Sequence, residues 1–434
     1  MQTNLETLER LERRLTMAVP AEDIDKEVDE RLKKLSRTVR MHGFRPGKVP
    51  IKLIAQQYGP QVRSEVIGDA VQKAFQQAIE ANKLRVAGNP KIEPKEVADA
   101  SQLAFSATFE VYPEVKLGDL ATAKVEKLTL TASDADVDKT IEILRKQRAK
   151  FEPAGRPARS GDRLTVDFTG KIDGTEFSGG KGTDVQLVLG EGRMLPDFES
   201  GLTGTTAGET KTFDVKFPED YHGKDVAGKT AQFEAVVKAI EEPRLPALDA
   251  EFAKSLGVAD GDVAKMRDEV KANVEREVKK RIEADLKQKV MQALIDSTPV
   301  DVPRSLIEIE AARMVQSTRA DLESRGMKME QLPINPQVFE DQARRRVTLG
   351  LVVGELVKAH GLAAKPEQIR TLIEDYAQSY EQPNEMVRWL YSDPQRLGEF
   401  EALAVEGNVV KWVLEKARVE DKPISFDDLM NKSG

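Results

Sequence analysis

The sequence contains no cysteine, few histidines and few aromatic residues. Without cysteine it has no disulfide, no thiol nucleophile and no cysteine-ligated zinc, a composition typical of a reducing compartment. The three histidines, His42, His222 and His360, lie far apart and form no HExxH motif, which argues against a histidine metal site. We therefore expect no metal.

Long hydrophobic runs are also missing. The most apolar stretch, residues 347–357, is too short to span a bilayer. Residues 1–14 mix acidic and basic side chains and contain no apolar segment, unlike a signal peptide. The sequence therefore predicts a cytoplasmic protein.

The motifs of the common cofactor-dependent and nucleophilic enzymes are absent too. There is no GxxxxGK[ST] loop, no GxSxG motif and no strand followed by GxGxxG. We therefore expect no cofactor. The chain has 434 residues, of which 40% are hydrophobic and 32% charged, and this predicts about three globular domains rich in charged helices.

The stretch from Arg31 to Arg63 is strongly basic, although the whole chain has a formal net charge of −8. It contains no Asp or Glu, and its bases are Arg31, Lys33, Lys34, Arg37, Arg40, Arg45, Lys48, Lys52 and Arg63. The central segment Gly43-Phe44-Arg45-Pro46-Gly47-Lys48-Val49-Pro50 has the composition of a stiff turn. A cationic tip with one aromatic ring suits RNA, because the bases neutralise phosphates and the ring can stack. The alternative is a connection between helices with a solvated basic face.

The first 112 residues have the pattern of a small α+β domain. Apolar spacing predicts a strand at 11–19, helices at 21–41 and 60–82, and a strand at 103–111. The basic turn then joins the two helices. Residues 113–157 are predicted to form a connector with an extended segment and one helix at 134–150.

Residues 158–243 predict a compact antiparallel sheet with one short helix at 195–201, and Asp173-Gly174 predicts a hairpin turn. Aromatic residues are 5% of the chain but concentrate here, as Phe168, Phe177, Phe198, Phe213, Phe217, Tyr221 and Phe233. Core packing is one explanation for these rings.

A pocket is the other explanation. Rotation about an X-Pro bond must overcome a barrier of about 18–20 kcal/mol but needs no nucleophile or metal. The planar amide is more polar than the twisted transition state, so an apolar pocket with one well-placed hydrogen bond favours the twist.

The remainder, residues 244–434, predicts helices. Apolar residues recur at every fourth position of 270–294, and each such step overshoots one helical turn by about 40°. The stripe must therefore wind around its helix and meet successive partners. Further helices are predicted at 304–324, 336–360, 366–380, 383–391 and 394–418, with short breaks that favour antiparallel hairpin arms. An ordinary helix-bundle core is the alternative for most of their apolar positions.

Several motifs carry a family resemblance. Val166-Asp167-Phe168-Thr169-Gly170, Asp173-Gly174-Thr175-Glu176-Phe177, Gly192-Arg193-Met194-Leu195-Pro196-Asp197-Phe198-Glu199 and Phe217-Pro218-Glu219-Asp220-Tyr221 resemble FKBP-type prolyl isomerases. With the basic turn, Phe109-Glu110-Val111-Tyr112-Pro113-Glu114-Val115 and Arg344-Arg345-Arg346-Val347, the whole chain is similar to the bacterial trigger factor family.

The resemblance implies an α+β multidomain fold. Its parts would be a ribosome-binding α+β domain (1–112), a connector that packs with the C-terminal domain (113–157), an FKBP-type isomerase domain (158–243) and an all-α chaperone domain with helical arms (244–434). It also implies a ribosome-associated chaperone that binds nascent polypeptides at the exit tunnel, delays misfolding and isomerises X-Pro bonds.

The resemblance also implies site residues. Ribosomal RNA and protein of the large subunit would be bound by Gly43, Phe44, Arg45, Pro46, Gly47 and Lys48. The isomerase pocket would consist of Phe168, Phe177, Val185, Met194, Leu195, Phe198, Tyr221 and Phe233. Exposed arm residues, including Met314, Met327 and Met329, would contact clients adaptably. A homodimer off the ribosome is left open.

The sequence departs from the family pattern at three positions. Pro46 stands where a lysine is common, Ser178 where many stand-alone FKBP-type enzymes carry an aspartate, and Phe198 where they carry a tryptophan. Two other interpretations remain open. One is a free prolyl isomerase whose helices serve as dimer or scaffold surfaces. The other, an RNA-binding regulator, is disfavoured because the chain outside the basic stretch is acidic.

Overall fold

The computed structural model describes residues 2–42, 44, 47–95, 101–221, 223–326 and 334–432. Gly43, Arg45 and Pro46 of the predicted ribosome site lie outside the described residues, as do Met327 and Met329. The structure is an α+β multidomain fold, as predicted. Its chain divides into two compact units, residues 1–127 with 285–422 and residues 128–284 with 423–434.

Strands and helices follow one another along the chain in distinct groups. The strands are β1 (Gln2–Thr7), β2 (Glu12–Pro20), β3 (Val86–Lys95), β4 (Gln102–Val111), β5 (Lys124–Thr129), β6 (Lys150–Pro153), β7 (Arg163–Ile172), β8 (Thr175–Val188), β9 (Thr210–Lys216), β10 (Thr230–Arg244) and β11 (Arg418–Pro423). The α-helices are α1 (Ala21–Thr38), α2 (Ile51–Ala81), α3 (Asp134–Gln147), α4 (Pro196–Leu202), α5 (Ala250–Ser255), α6 (Val263–Ser297), α7 (Arg304–Ser324), α8 (Glu340–His360), α9 (Pro366–Ala377), α10 (Pro383–Tyr391), α11 (Pro394–Lys416) and α12 (Phe426–Asn431).

The N-terminal part of the first unit packs α1 and α2 against a sheet of strand order β1-β2-β4-β3. Its core includes Leu15, Ile54 and Phe109. The prediction that the second helix starts at residue 60 is wrong, because α2 starts at Ile51 and contains Pro60. That proline removes a hydrogen bond to the carbonyl of residue 56, and the exposure of both positions leaves this carbonyl open to water.

Two predictions about the helical part of the same unit are wrong. Met314 was predicted to be an exposed contact, but it is 7% exposed, because it lies on the same stripe of α7 as Ile307 and Ala311, in a cluster with Ala343 of α8. The C-terminal region was predicted to be all-α, but it contains β11, which pairs with β5. That strand is polar and largely exposed, so no hydrophobic alternation marks it in the sequence.

Helix α6 confirms the prediction of a winding stripe. Val270, Val274 and Val278 belong to a cluster with α3, α5 and α12 in the second unit. Further along the helix, Leu286 and Val290 belong to a different cluster, which lies in the first unit and includes residues of α8 and α11. Residues at the four-residue spacing therefore contribute first to one hydrophobic core and then to another.

The second unit also contains a five-stranded sheet of order β6-β10-β7-β8, with β9 paired to β10. The hairpin predicted at Asp173-Gly174 is confirmed, with φ of 50° and 82° at these two residues between β7 and β8. The sheet begins with β6, inside the stretch predicted as a connector. In the described part of the chain, no helix is both long and apolar enough to cross a membrane.

Candidate functional site

A pocket of about 590 Å³ opens beside the five-stranded sheet. Its lining residues are Phe168, Phe177, Ser178, Gly179, Gly192, Arg193, Met194, Leu195, Pro196, Phe198, Val215, Phe217, Tyr221, Gly223, Val226 and Phe233. All of the residues predicted for the isomerase pocket therefore line it except Val185. That valine lies beside the ring of Phe168, near Gly182.

Phe198 and Phe233 form the floor of the pocket. They are 4% and 5% exposed, and their ring centroids lie 5.2 Å apart in an edge-to-face arrangement. The ring of Phe168 lies 5.3 Å from that of Phe198. Edge-to-face pairs of this kind are each worth about 0.5–1.5 kcal/mol beyond their buried area. The same rings therefore belong to the domain core and line the pocket.

The walls combine the half-buried side chains of Phe177 and Tyr221 with the buried ring of Phe217. Phe177 packs edge-on against Phe217 at 5.8 Å, and Phe217 packs against Tyr221 at 4.9 Å. Sequence reasoning missed several wall residues, among them Phe217, Arg193 and Val226. Phe217 and Arg193 stand inside the family motifs themselves, which was the available signal, whereas Val226 lies outside every motif.

Close approach of ring to backbone explains two glycines of the site. A Cβ atom on Gly170 would lie 2.6 Å from the ring of Phe233, and one on Gly182 would lie 2.7 Å from the ring of Phe168. Both distances are far inside van der Waals contact. Each ring therefore lies against bare strand backbone.

Ion pairs connect the strands that carry part of the pocket lining. Lys238 Nζ lies 2.8 Å from Asp167 Oδ2 and 2.7 Å from Asp184 Oδ1, and the amide of Asp184 donates to Asp167. The hydrogen bond from Lys238, followed by that amide, lowers the pKa of Asp167 below its usual value. Among the described lining residues, Arg193 alone carries a formal charge. The pocket thus offers apolar rings and hydroxyl groups rather than a carboxylate acid or base.

The basic stretch lies on the α1–α2 hairpin. Arg31 pairs with Glu27 and Asp69 at 3.0 and 2.8 Å, and Arg63 pairs with Asp25 at 2.6 Å. The remaining described bases are exposed and lie in no ion pair within the described residues: Lys33, Lys34, Arg37, Arg40, Lys48 and Lys52.

The turn of this hairpin presents the described part of the predicted ribosome site. Phe44 is 39% exposed, and Gly47 has a φ of 78°, which favours glycine. Val49, by contrast, is buried in the domain core and anchors the turn. Phe44 and Lys48 are therefore accessible on the end of a fixed support.

Comparison with protein families matches nearly the whole chain. Residues 1–144 match the model described as bacterial trigger factor protein, and residues 262–415 match its C-terminal model. Residues 154–238 match the model of FKBP-type peptidyl-prolyl cis-trans isomerases.

Curated relatives match over their full length. The chain is 56% identical over 433 residues to the trigger factor of Aromatoleum aromaticum and 54% identical over 435 residues to that of Nitrosospira multiformis, with 100% of each chain covered in both cases. A solved structure titled "Promiscuous Substrate Recognition in Folding and Assembly Activities of the Trigger Factor Chaperone" matches 96% of this chain and 100% of that one, with 16% identity and a TM-score of 0.48.

Proposed function

This chain belongs to the bacterial trigger factor family and is a ribosome-associated chaperone with an FKBP-type domain, and we propose which of its residues isomerise, dock and hold. Four segments divide the work. They are a ribosome-binding domain (1–112), a connector (113–157), an isomerase domain (158–243) and a chaperone domain (244–434). Its place of action is the cytoplasm, where ribosomes release nascent chains.

The isomerase domain catalyses rotation about X-Pro bonds. The observation that carries this proposal is the pocket itself, whose floor is the buried pair Phe198 and Phe233 and whose described lining has no carboxylate. Such a lining desolvates the planar amide, and the twisted amide loses less on leaving water because it is less polar. Tyr221 and Ser178 bring hydroxyl groups to the pocket lining, and such groups can stabilise a twisted carbonyl or amide.

The test of catalysis uses the full chain and a short proline peptide. Tyr221→Ala removes a half-buried wall residue, and we expect kcat/KM for isomerisation to fall about tenfold or more, in the range that a single positioned hydrogen-bonding group contributes. Tyr112→Ala, at a half-buried tyrosine just after β4 and outside the pocket lining, is the control and should leave the rate unchanged. Equal rates for both variants and the wild type would show that Tyr221 does not contribute to catalysis.

The α1–α2 hairpin docks the protein on ribosomal RNA and protein beside the exit tunnel. Support comes from the exposed bases near its turn, none of them in an ion pair within the described residues, and from the exposed ring of Phe44. Exposed cations bind phosphates with release of counterions, so the affinity should fall steeply with salt.

Cosedimentation with ribosomes tests the docking proposal. Phe44→Ala combined with Lys48→Glu should abolish cosedimentation without unfolding the domain, because both side chains are exposed. Lys254→Glu, an exposed lysine of α5, changes the net charge equally and should leave binding intact. Retained binding by the double variant would contradict the docking assignment.

The helical arms hold nascent polypeptides. Exposed apolar side chains on them support this role, including Ile309, Val338, Trp389, Tyr391 and Leu403. Unfolded chains have no fixed shape to match, so adaptable apolar side chains without a shaped cavity suit them. Pairing of two chains off the ribosome remains a proposal of the same kind.

A further inference from the structure

Helix α4 carries a carboxylate on each side of the pocket-floor residue Phe198. Asp197 precedes it and Glu199 follows it, and both accept backbone N–H groups from other segments. None of these bonds belongs to the helix itself. The helix therefore attaches to its surroundings on both sides of the ring that it contributes.

Glu199 ties down the loop that follows β8. Its Oε2 accepts the N–H of Gly190 at 2.9 Å, and its Oε1 accepts the N–H of Met194 at 3.3 Å. The loop between these two amides includes Gly192 and Arg193, which line the pocket together with Met194 and Leu195. Gly190 and Gly192 have positive φ values of 88° and 69° and lie beyond the end of β8. Strand hydrogen bonds therefore do not hold this part of the backbone in place. The Glu199 carboxylate thus binds both ends of the loop that forms one wall of the pocket.

Asp197 makes a similar bond to a second segment, the end of β9. Its Oδ2 accepts the N–H of Lys216 at 3.0 Å, at the end of β9. The next residues lead into the second wall, which contains Phe217 and Tyr221. Both walls are therefore fastened to the helix that supplies the floor.

We propose that Glu199 is a positioning residue for prolyl isomerisation, which holds the 190–195 loop against Phe198, and that Asp197 performs the same task for the 216–221 wall. This inference rests on the proposed function of the pocket. Neither carboxylate lines the pocket, so neither touches the peptide or takes part in the twist. Their effect is to order the walls before the peptide arrives, which removes an entropic cost from binding.

Loss of this order should affect binding more than turnover. In Glu199→Ala the loop must be ordered each time a peptide binds, and we expect KM to rise about fivefold to tenfold, the scale of the net contribution of one ordinary hydrogen bond. The turnover number should change less than twofold, since the floor residues remain in place. Glu199→Gln keeps one oxygen acceptor and should fall between Glu199→Ala and the wild type. Glu234→Ala, at an exposed glutamate of β10, is the matched control.

The experiment combines peptide kinetics, peptide binding and amide exchange on the full-length chain. Exchange of the Gly190 and Met194 amides should accelerate about tenfold in Glu199→Ala, while the amides of β7 and β10 report whether the domain remains folded. A purely structural role would lower the unfolding temperature and leave KM unchanged, and that result would overturn the inference.

The two proposals fail in different ways. A wild-type chain that binds the proline peptide without accelerating its isomerisation would refute the proposed function, while the dissociation constant and the exchange rates would still decide the role of Glu199. A catalytically active wild type whose KM and loop exchange are both insensitive to Glu199→Ala would refute the positioning role alone.

Discussion

A single buried carboxylate, that of Asp162, stabilises the isomerase domain through its hydrogen bonds. Asp162 is 1% exposed, and its carboxylate accepts N–H groups from Arg156 at 2.6 and 3.0 Å and from the Arg159 amide at 2.8 Å. Burial acts to raise the pKa of Asp162, but the hydrogen bonds from Arg156 and Arg159 outweigh burial and lower it below the ordinary value. This carboxylate therefore stabilises the fold only while it is ionised.

The pH dependence of stability tests that assignment. Because the pKa of Asp162 is lower in the folded state, its contribution is complete above the unfolded value of about 3.9 and is lost as the pH falls through the folded pKa. Asp162→Asn should lower the unfolding free energy by about 1–3 kcal/mol at pH 7 and by less near pH 3. Denaturant unfolding of the domain, followed by NMR at both pH values, measures the difference. Equal losses at both pH values would contradict it.

The glycine under the pocket floor is a second residue whose role can be measured. Gly170→Ala would place a methyl group 2.6 Å from the Phe233 ring, so the ring must move. We expect a loss of about 1–3 kcal/mol in stability, as in other overpacked cores, together with lower isomerase activity. Gly155→Ala is the control, since a Cβ there meets no atom within 4 Å and its φ is not positive. Denaturant titration and peptide kinetics distinguish the two variants.

Among the helices and strands, the start of α7 depends on a partner outside its own sequence. Its N-cap is Pro303, which makes no side-chain cap, and Glu110 of β4 accepts the N–H groups of Arg304 and Ser305 at 2.9 and 2.7 Å. The hydroxyl of Ser305 donates to the carbonyl of Ala87 at 2.9 Å. The first arm is thereby fastened to the N-terminal sheet within one compact unit.

Removing this cap should loosen the first turn of α7. Glu110→Ala is expected to cost on the order of 1 kcal/mol locally, as other N-cap losses do, and to accelerate amide exchange at residues 304–306 about fivefold. Glu114→Ala, at an exposed glutamate just beyond β4, should leave that exchange unchanged. Unchanged protection in Glu110→Ala would show that the proline start alone sustains the turn.

Elements were predictable from sequence where they bury a face. The winding stripe of α6, the alternation in β4 and the Asp173-Gly174 turn each produce a periodic or steric signal, and the structure confirms them. The pocket residues were predicted by resemblance to a family, and all of them except Val185 line one pocket, while their catalytic role stays a prediction.

The misses have physical reasons. β11 buries too little to alternate, and α2 continues through Pro60 at an exposed position, where the carbonyl that loses its partner can bond to water. The carboxylates of Asp197 and Glu199 bond to backbone amides, which carry no side-chain signal in the sequence.

On the scale of the whole molecule, the isomerase sheet has a core of its own. Every buried residue of its hydrophobic cluster lies between Ala158 and Ile240, and β6 adds pairing from Lys150 onwards. A fragment of residues 150–244 should therefore fold and isomerise short peptides as fast as the full chain.

This fragment also separates a chaperone from a free isomerase. Without the arms, we expect the fragment to accelerate a proline-limited refolding reaction at least tenfold less than the full chain does, because it cannot hold the unfolded protein. Refolding kinetics with both proteins at equal concentration provide the measurement. Equal acceleration would favour the alternative in which the arms are only scaffold. A fragment of residues 158–243, which lacks β6, should be less stable than the longer one.

The ion pairs of the α1–α2 hairpin make its positive charge uneven along its length. Arg31 and Arg63 are neutralised by acids away from the turn, while Lys48 and Lys52 near the turn are exposed without an ion pair within the described residues. Positive charge therefore increases towards one end of a rod. In the field of a polyanion such a rod would experience a torque as well as an attraction, which would turn it before contact so that its turn leads. If the hairpin docks as proposed, the acids that pair with Arg31 and Arg63 would thus set the orientation of approach without touching the partner.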